Sequence, residues 1–330
     1  YFTHSEGQGT IASNDASHAE GYWTISSGQF GSHSEGRFTI AYGHSGAHAE
    51  GYGTISRYVI TGDANATTYQ INEETVNDYD YKFIYYNGKI YKIISYNAAD
   101  KTVSVDTTLS NTALSAVKVH FIENGISSGL GSHSEGCYTI ASGDGSHAEG
   151  SSTEAIGDSS HAEGMSTIAS ARSSHAEGGG THYAYSITGD ANATTYQINE
   201  NAIANKDFEF MLFDNKFFKI TSYDIDNKTF TVDTTLSNSA LFDVKALFIE
   251  GGAALGSYSH SEGANTIASG SFGSHAEGSG TKAIGEWGSH AEGFLTTASG
   301  QNGSHAEGQA TTASGYSSHA EGYFTTASGH

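Results

Sequence analysis

An all-β solenoid interrupted by two small β units is the fold this sequence predicts. Three observations predict it: a 14- or 15-residue repeat, a glycine fixed within it, and two matching segments that break it. The repeat reads Ser-His-Ala-Glu-Gly-x-x-Thr-x-Ala-x-x-x-x. Its thirteen histidines are His4, His18, His33, His48, His133, His147, His161, His175, His260, His275, His290, His305 and His319. Two places after each stands a glutamate: Glu6, Glu20, Glu35, Glu50, Glu135, Glu149, Glu163, Glu177, Glu262, Glu277, Glu292, Glu307 and Glu321, and a glycine follows every one. Such a repeat decides an architecture ahead of other signals. A period this short is too small for a helix pair or a propeller blade and suits one coil of two strands and two tight turns.

Alternation places the residues within a coil. In Ser17-His18-Ala19-Glu20, Ser17 and Ala19 share one face, His18 and Glu20 the other, and Thr24 and Ser26 again share a face. The small residues point inward, because so narrow a coil has no room for larger ones, and glycine supplies the positive φ of the turns. A core of Ala, Ser and Thr buries little apolar area, at about 25 cal/mol per Å². A lone roll about 60 Å long is therefore marginal, and packing of several chains side by side relieves it.

The two gaps from His48 to His133 and from His175 to His260 each hold one repeat plus an insert. Ile60-Thr61-Gly62-Asp63-Ala64-Asn65-Ala66-Thr67-Thr68-Tyr69-Gln70 recurs as the run from Ile187 to Gln197. The predicted order is coils over 1–57, a small β domain over 58–125, coils over 126–184, its second copy over 185–251, and coils over 252–330. Tyr81 to Tyr86, then Asn87-Gly88, then Lys89 to Ile94 is a hairpin signal. Further strands are expected at Thr102–Val105 and Val117–Ile122, with a short helical turn over Thr107–Ala116, giving about five strands that bud sideways from the roll. Comparing the copies leaves no nucleophile–base–acid set: the single insert histidine of the first, His120, meets Leu247 in the second.

Composition narrows the function. The 42 glycines come with no proline, which excludes collagen. A formal charge of -22 argues against nucleic acid and anionic lipid as partners. One cysteine, Cys137, allows no disulfide within the chain, and no apolar run is long enough to insert in a membrane. Both ends fall inside a repeat, as expected of a piece of a longer polypeptide.

The pattern Ser-x-Ala-x-Gly-x-x-(Ser/Thr)-x-Ala-x-Gly in 14-residue steps resembles the head repeats of YadA-like trimeric autotransporter adhesins. The form Ser146-His147-Ala148-Glu149-Gly150 is especially similar to repeats in tail-fibre and appendage proteins of phages and prophages of Gram-positive bacteria. The resemblance covers about 190 residues, all outside the inserts. It implies a left-handed parallel β-roll, three chains around one axis, and an extracellular fibre that attaches to a cell-surface glycan or protein receptor. It also implies that the His–Glu positions, where the family usually carries Val and Ile, line the interface between chains.

Chemically, the His-x-Glu ladder reads as a polar network that fixes register between chains. Histidine rings holding metal on the trimer axis are the sharper alternative; the reading assigns no metal and no cofactor. His-Glu-x-x-His never occurs, and without proline or a Cys-x-x-Cys pair there is no deaminase signature. A residue repeated thirteen times is a poor unique catalyst, so no enzyme is expected. Aromatics after the motif glycine (Tyr22, Trp23, Phe38, Tyr138, Phe294, Tyr323 and Phe324) are expected to stack between coils or to meet a ligand. A bacterial trimeric adhesin head is the alternative function. A monomeric ice-binding solenoid and a fibre-borne glycan depolymerase stand further off.

Overall fold

A computed structural model of the chain describes residues 2–76, 81–87, 89–98, 100–200, 208–214 and 216–329. It is all-β, with no helix among the described residues. Two parallel sheets of thirteen strands each run along a solenoid. Every coil gives a five-residue strand to one sheet, such as His18–Tyr22, and a two-residue strand to the other, such as Ile25–Ser26. The register is uninterrupted: His48 pairs with His133 and His175 with His260 across the inserts, as His133 pairs with His147 within a block.

The interior is small and partly polar, as the alternation predicts. Ser17, Ala19, Thr24 and Ser26 are all buried. Columns of alanine run up the axis, for example Ala141, Ala148, Ala155, Ala162, Ala169 and Ala176. Where the repeat reads Ser-His-Ser-Glu, the extra hydroxyl meets the buried threonine of the same coil: Ser34 Oγ lies 2.9 Å from Thr39 Oγ1 and Ser134 Oγ 2.7 Å from Thr139 Oγ1. The motif glycine is explained by contact with the next coil. Gly164 has φ +108°, and a Cβ there would lie 2.1 Å from the carbonyl oxygen of Gly178.

Each insert interrupts one coil between its two strands. The long strand His48–Tyr52 leads through Gly53 into Thr54–Gly62; the chain returns along Leu114–Asn124 and completes the same coil with Ile126–Ser127. The second copy leaves after His175–Gly179 and returns to Ala253–Ala254. At the second seam Gly252, φ +75°, stands where uninterrupted coils bury a threonine, and a Cβ there would lie 2.2 Å from Gly180 Cα. Only two residues without side chains let the strands part so closely.

The six strands Thr54–Gly62, Thr68–Ile71, Phe83–Tyr86, Lys89–Asn97, Thr102–Val105 and Leu114–Asn124 form a closed antiparallel barrel, and the corresponding six of the second copy do the same. The expected five strands thus become six. The barrel also begins before residue 58, and the reason lies in the residues. Thr54-Ile55-Ser56 repeats Thr24-Ile25-Ser26 letter for letter, yet it pairs with Ile122 and its neighbours, and the coil's short strand is Ile126–Ser127. The helical turn expected over 107–116 is absent. Leu109 N–H donates to Tyr69 Oη, Ser110 Oγ accepts from Thr112 N–H, and strand begins at Leu114. Gly88 of the hairpin signal lies outside the described residues; Asn87 before it has φ +50°.

The barrels do not simply bud sideways. They sit on the short-strand sheet. Ile25, Ile40 and Ile126 are buried with Tyr85 and Ile122 of the first barrel. Ile168, Ala253 and Ile267 are buried with Phe210, Leu212, Leu247 and Ile249 of the second. Polar contacts tie the edges: Arg57 lies 4.7 Å over the Trp23 ring, Lys282 Nζ lies 2.5 Å from Glu209 Oε1, and Lys92 Nζ of the first barrel lies 2.5 Å from Asp214 Oδ1 of the second.

Candidate functional site: a histidine–glutamate ladder

The long-strand sheet carries all thirteen His–Glu pairs on its outer face, the face the barrels leave uncovered. Because strands pair in register, each residue type forms a column. Neighbouring imidazoles from His18 to His305 stack with ring centroids 4.6–4.9 Å apart and planes within 13°. At the ends the order loosens: His4 tilts 45° against His18, and His319 lies edge-on to His305.

Within eleven of the coils His Nε2 faces the Glu Oε2 two residues on, at 3.7 Å for His48–Glu50, 3.6 Å for His147–Glu149 and 3.9 Å for His290–Glu292. That is too long for a hydrogen bond. Ten consecutive imidazoles (His33, His48, His133, His147, His161, His175, His260, His275, His290 and His305) hold an Nε2 shut off from solvent and without a hydrogen-bond partner. Buried polar atoms are nearly always partnered, so a run of ten is unusual.

Burial, followed by the neighbouring imidazoles His133 and His33, pushes the pKa of His48 down to about 4. Burial, then an adjacent imidazole, also lowers His133, His161, His175, His260 and His305. At neutral pH these groups are neutral imidazoles beside carboxylates, with a free lone pair at one ring nitrogen, and not ion pairs. The carboxylates are the open side of the ladder: the Glu50 side chain is 45% exposed against 31% for His48.

The aromatics singled out from sequence divide. Tyr22, Tyr138, Phe294, Tyr323 and Phe324 are exposed at the corner after the long strand. Phe38 is half-buried between Tyr22 and Tyr52, at 5.4 and 6.3 Å. Trp23 is held against the first barrel by Arg57 and His120, which removes it from any ligand platform. The sequence reading misses a second ridge at the opposite corner: Phe30, Tyr258, Phe272 and Trp287 are all more than half exposed. All four adopt φ between +55° and +64°, where most coils place Gly, Ala, Ser or Asn. Phe272 and Trp287 stack at 4.8 Å. Their common place just before the Gly-Ser-His or Ser-His step was the signal available.

A cavity of about 410 Å³ lies between the two barrels and the roll, with Tyr42, Lys92, Glu154, Leu212 and Asp214 among its lining. Burial raises the Tyr42 hydroxyl to a pKa of about 12, so it stays protonated there. No family model matches the chain, and no curated protein matches it.

Proposed function

We propose that this chain is a structural and attachment segment of a homotrimeric extracellular fibre, of the kind phages carry as tail fibres or appendages, and that its His–Glu face is the contact between chains. The observation that carries the reading is the in-register column of His–Glu pairs on a face the barrels leave bare, its carboxylates open to solvent. Two further copies of the same ladder, packed about a common axis, supply partners for those carboxylates and the exposed ring edges at every level. The uninterrupted register suits a rigid spacer, and both barrels project from the opposite sheet, where they and the exposed aromatic corners are free to meet a surface glycan or protein. Left-handed winding and the preference for a phage fibre over a bacterial adhesin head rest on the resemblance of Ser-His-Ala-Glu-Gly alone. The reading involves no catalysis, and the charge of -22 speaks against nucleic acid as partner.

Sedimentation equilibrium tests it. A mass near three times 34.6 kDa is expected. A stable monomer at micromolar concentration overturns the interface and leaves the ladder as a solvent face.

A further inference from the structure

We propose that the ladder binds divalent transition ions of the zinc type between successive coils, each ion held by Nε2 of two consecutive histidines and by the glutamate of the first. The sets His48–Glu50–His133, His133–Glu135–His147, His147–Glu149–His161, His161–Glu163–His175 and His175–Glu177–His260 each bring their three ligand atoms within 4.8 Å of one another. All three ligands come from one chain, so the site does not rest on the trimer reading. It also differs from rings of histidine around an axis, since the convergence is along the roll.

Three features support it. The donor set, two imidazoles and one carboxylate, is that of open zinc sites and leaves a position for water or a further ligand. The imidazole nitrogens that would bind are the ones with no other partner. The His–Glu separation of 3.6–3.9 Å is slightly wider than the about 3.4 Å that two ligands span across a tetrahedral zinc ion. Closing the set requires the two stacked rings to tilt together by roughly 1 Å at their Nε2 atoms. Calcium and magnesium prefer oxygen ligands and are disfavoured.

Stoichiometry follows from the lone pairs. Each Nε2 has one, so an ion between two coils excludes ions in the gaps on either side. The ten orphaned Nε2 atoms, from His33 to His305, make five separate pairs, and saturation is expected at about five ions per chain.

Zinc retained per chain after dialysis against excess Zn²⁺ and desalting, measured by mass spectrometry of the metal on the full chain, tests this. The wild-type chain is expected to hold about five, and to hold no Ca²⁺ under the same treatment. The double variant His161→Gln/His175→Gln leaves four of the ten on each side, hence two pairs and two, and the count falls to about four. His147→Gln/His161→Gln leaves three and five, hence one pair and two, and the count falls to about three. Less than one zinc per chain, a count near ten, or the same count in both double variants overturns the proposal. Sedimentation in the same buffers keeps the two readings apart: a zinc-loaded monomer retains the metal sites and removes the trimer, and a zinc-free trimer does the reverse.

Discussion

The solenoid has two kinds of coil, and they differ at one outward position of the short strand. In coils seated against the barrels the residue is apolar and buried: Ile25, Ile40, Ile126, Ile168, Ala253 and Ile267. In the last four coils it is Lys282, Thr297, Thr312 and Thr326, none of them buried. Everything else in the coil continues unchanged, including the buried Thr281, Thr296 and Thr311 and the His–Glu face. The backbone of the repeat is thus indifferent to what lies outside it, and this side chain tracks whether a barrel covers the coil except at Glu154, which pairs between Ile140 and Ile168 and lines the cavity between the two barrels. Burying one isoleucine there contributes about 1.5–3 kcal/mol, which an interior of Ala, Ser and Thr cannot supply from within. The covered coils gain a second, apolar core; the bare ones rely on hydrogen bonding and on whatever packs against the ladder.

The seam gives the sharpest contrast. Gly252 and Thr296 occupy the same repeat position, the first where a barrel enters and the second in an uninterrupted coil. Gly252→Ala forces a Cβ to within 2.2 Å of Gly180 Cα at φ +75° and is expected to cost more than about 4 kcal/mol in chemical denaturation. Thr296→Ala, which removes a hydroxyl that has no partner, is expected to cost about 1 kcal/mol. Equal losses at the two sites would mean the glycine pair is not what admits the insert. One step down in size, Ile40→Thr empties a fully buried site under the first barrel and is expected to lose about 2–4 kcal/mol. The reciprocal Thr297→Ile on bare roll is expected to stay within about 0.5 kcal/mol. If the two swaps cost the same, the barrels do not stabilise the coils beneath them.

Much of this architecture was legible in the sequence. Period and alternation placed Ser17, Ala19, Thr24 and Ser26 inside and His18 and Glu20 outside, because a strand's side chains alternate regardless of neighbours. The barrel's seat was not legible. Ile25 and Thr297 are both acceptable outward residues on a strand, and only a tertiary contact tells them apart. The barrel's first strand was hidden for a stronger reason: Thr54-Ile55-Ser56 is the coil motif itself, and what diverts it is the glycine seam, which pairs residues some seventy apart in sequence. For the ladder, sequence named all twenty-six residues but could not say that neighbouring coils bring a glutamate and two imidazole nitrogens within 4.8 Å, since that depends on ring tilt and rotamer.

Within the coil interior, effects near 1 kcal/mol are expected. Ser134 and Ala148 are register partners, and each sits beside a buried threonine. Ser134 satisfies Thr139, whereas Thr153 Oγ1, in the coil of Ala148, has no partner. Ser134→Ala is expected to destabilise by about 1 kcal/mol, and Ala148→Ser to stabilise by about 0.5–1 kcal/mol, in parallel urea titrations. A destabilised Ala148→Ser would show that the alanine coils are too tight for the hydroxyl.

The smallest expected effect lies at the border between covered and bare coils. Lys282 is the first residue of the outward column that is not apolar after Ile267, and its ammonium reaches Glu209 on the rim of the second barrel at 2.5 Å. Both side chains are partly exposed, 28% and 37%, so solvent and salt screen the pair. Lys282→Thr, which extends the bare pattern by one coil, is expected to cost at most about 1 kcal/mol at low ionic strength. The difference should vanish when denaturation is repeated in about 1 M salt, where the screening length is about 3 Å. A loss above 2 kcal/mol that persists in high salt would mean that the lysine stem is packed as part of the apolar seat. The covered region would then extend one coil further than the isoleucine column marks it.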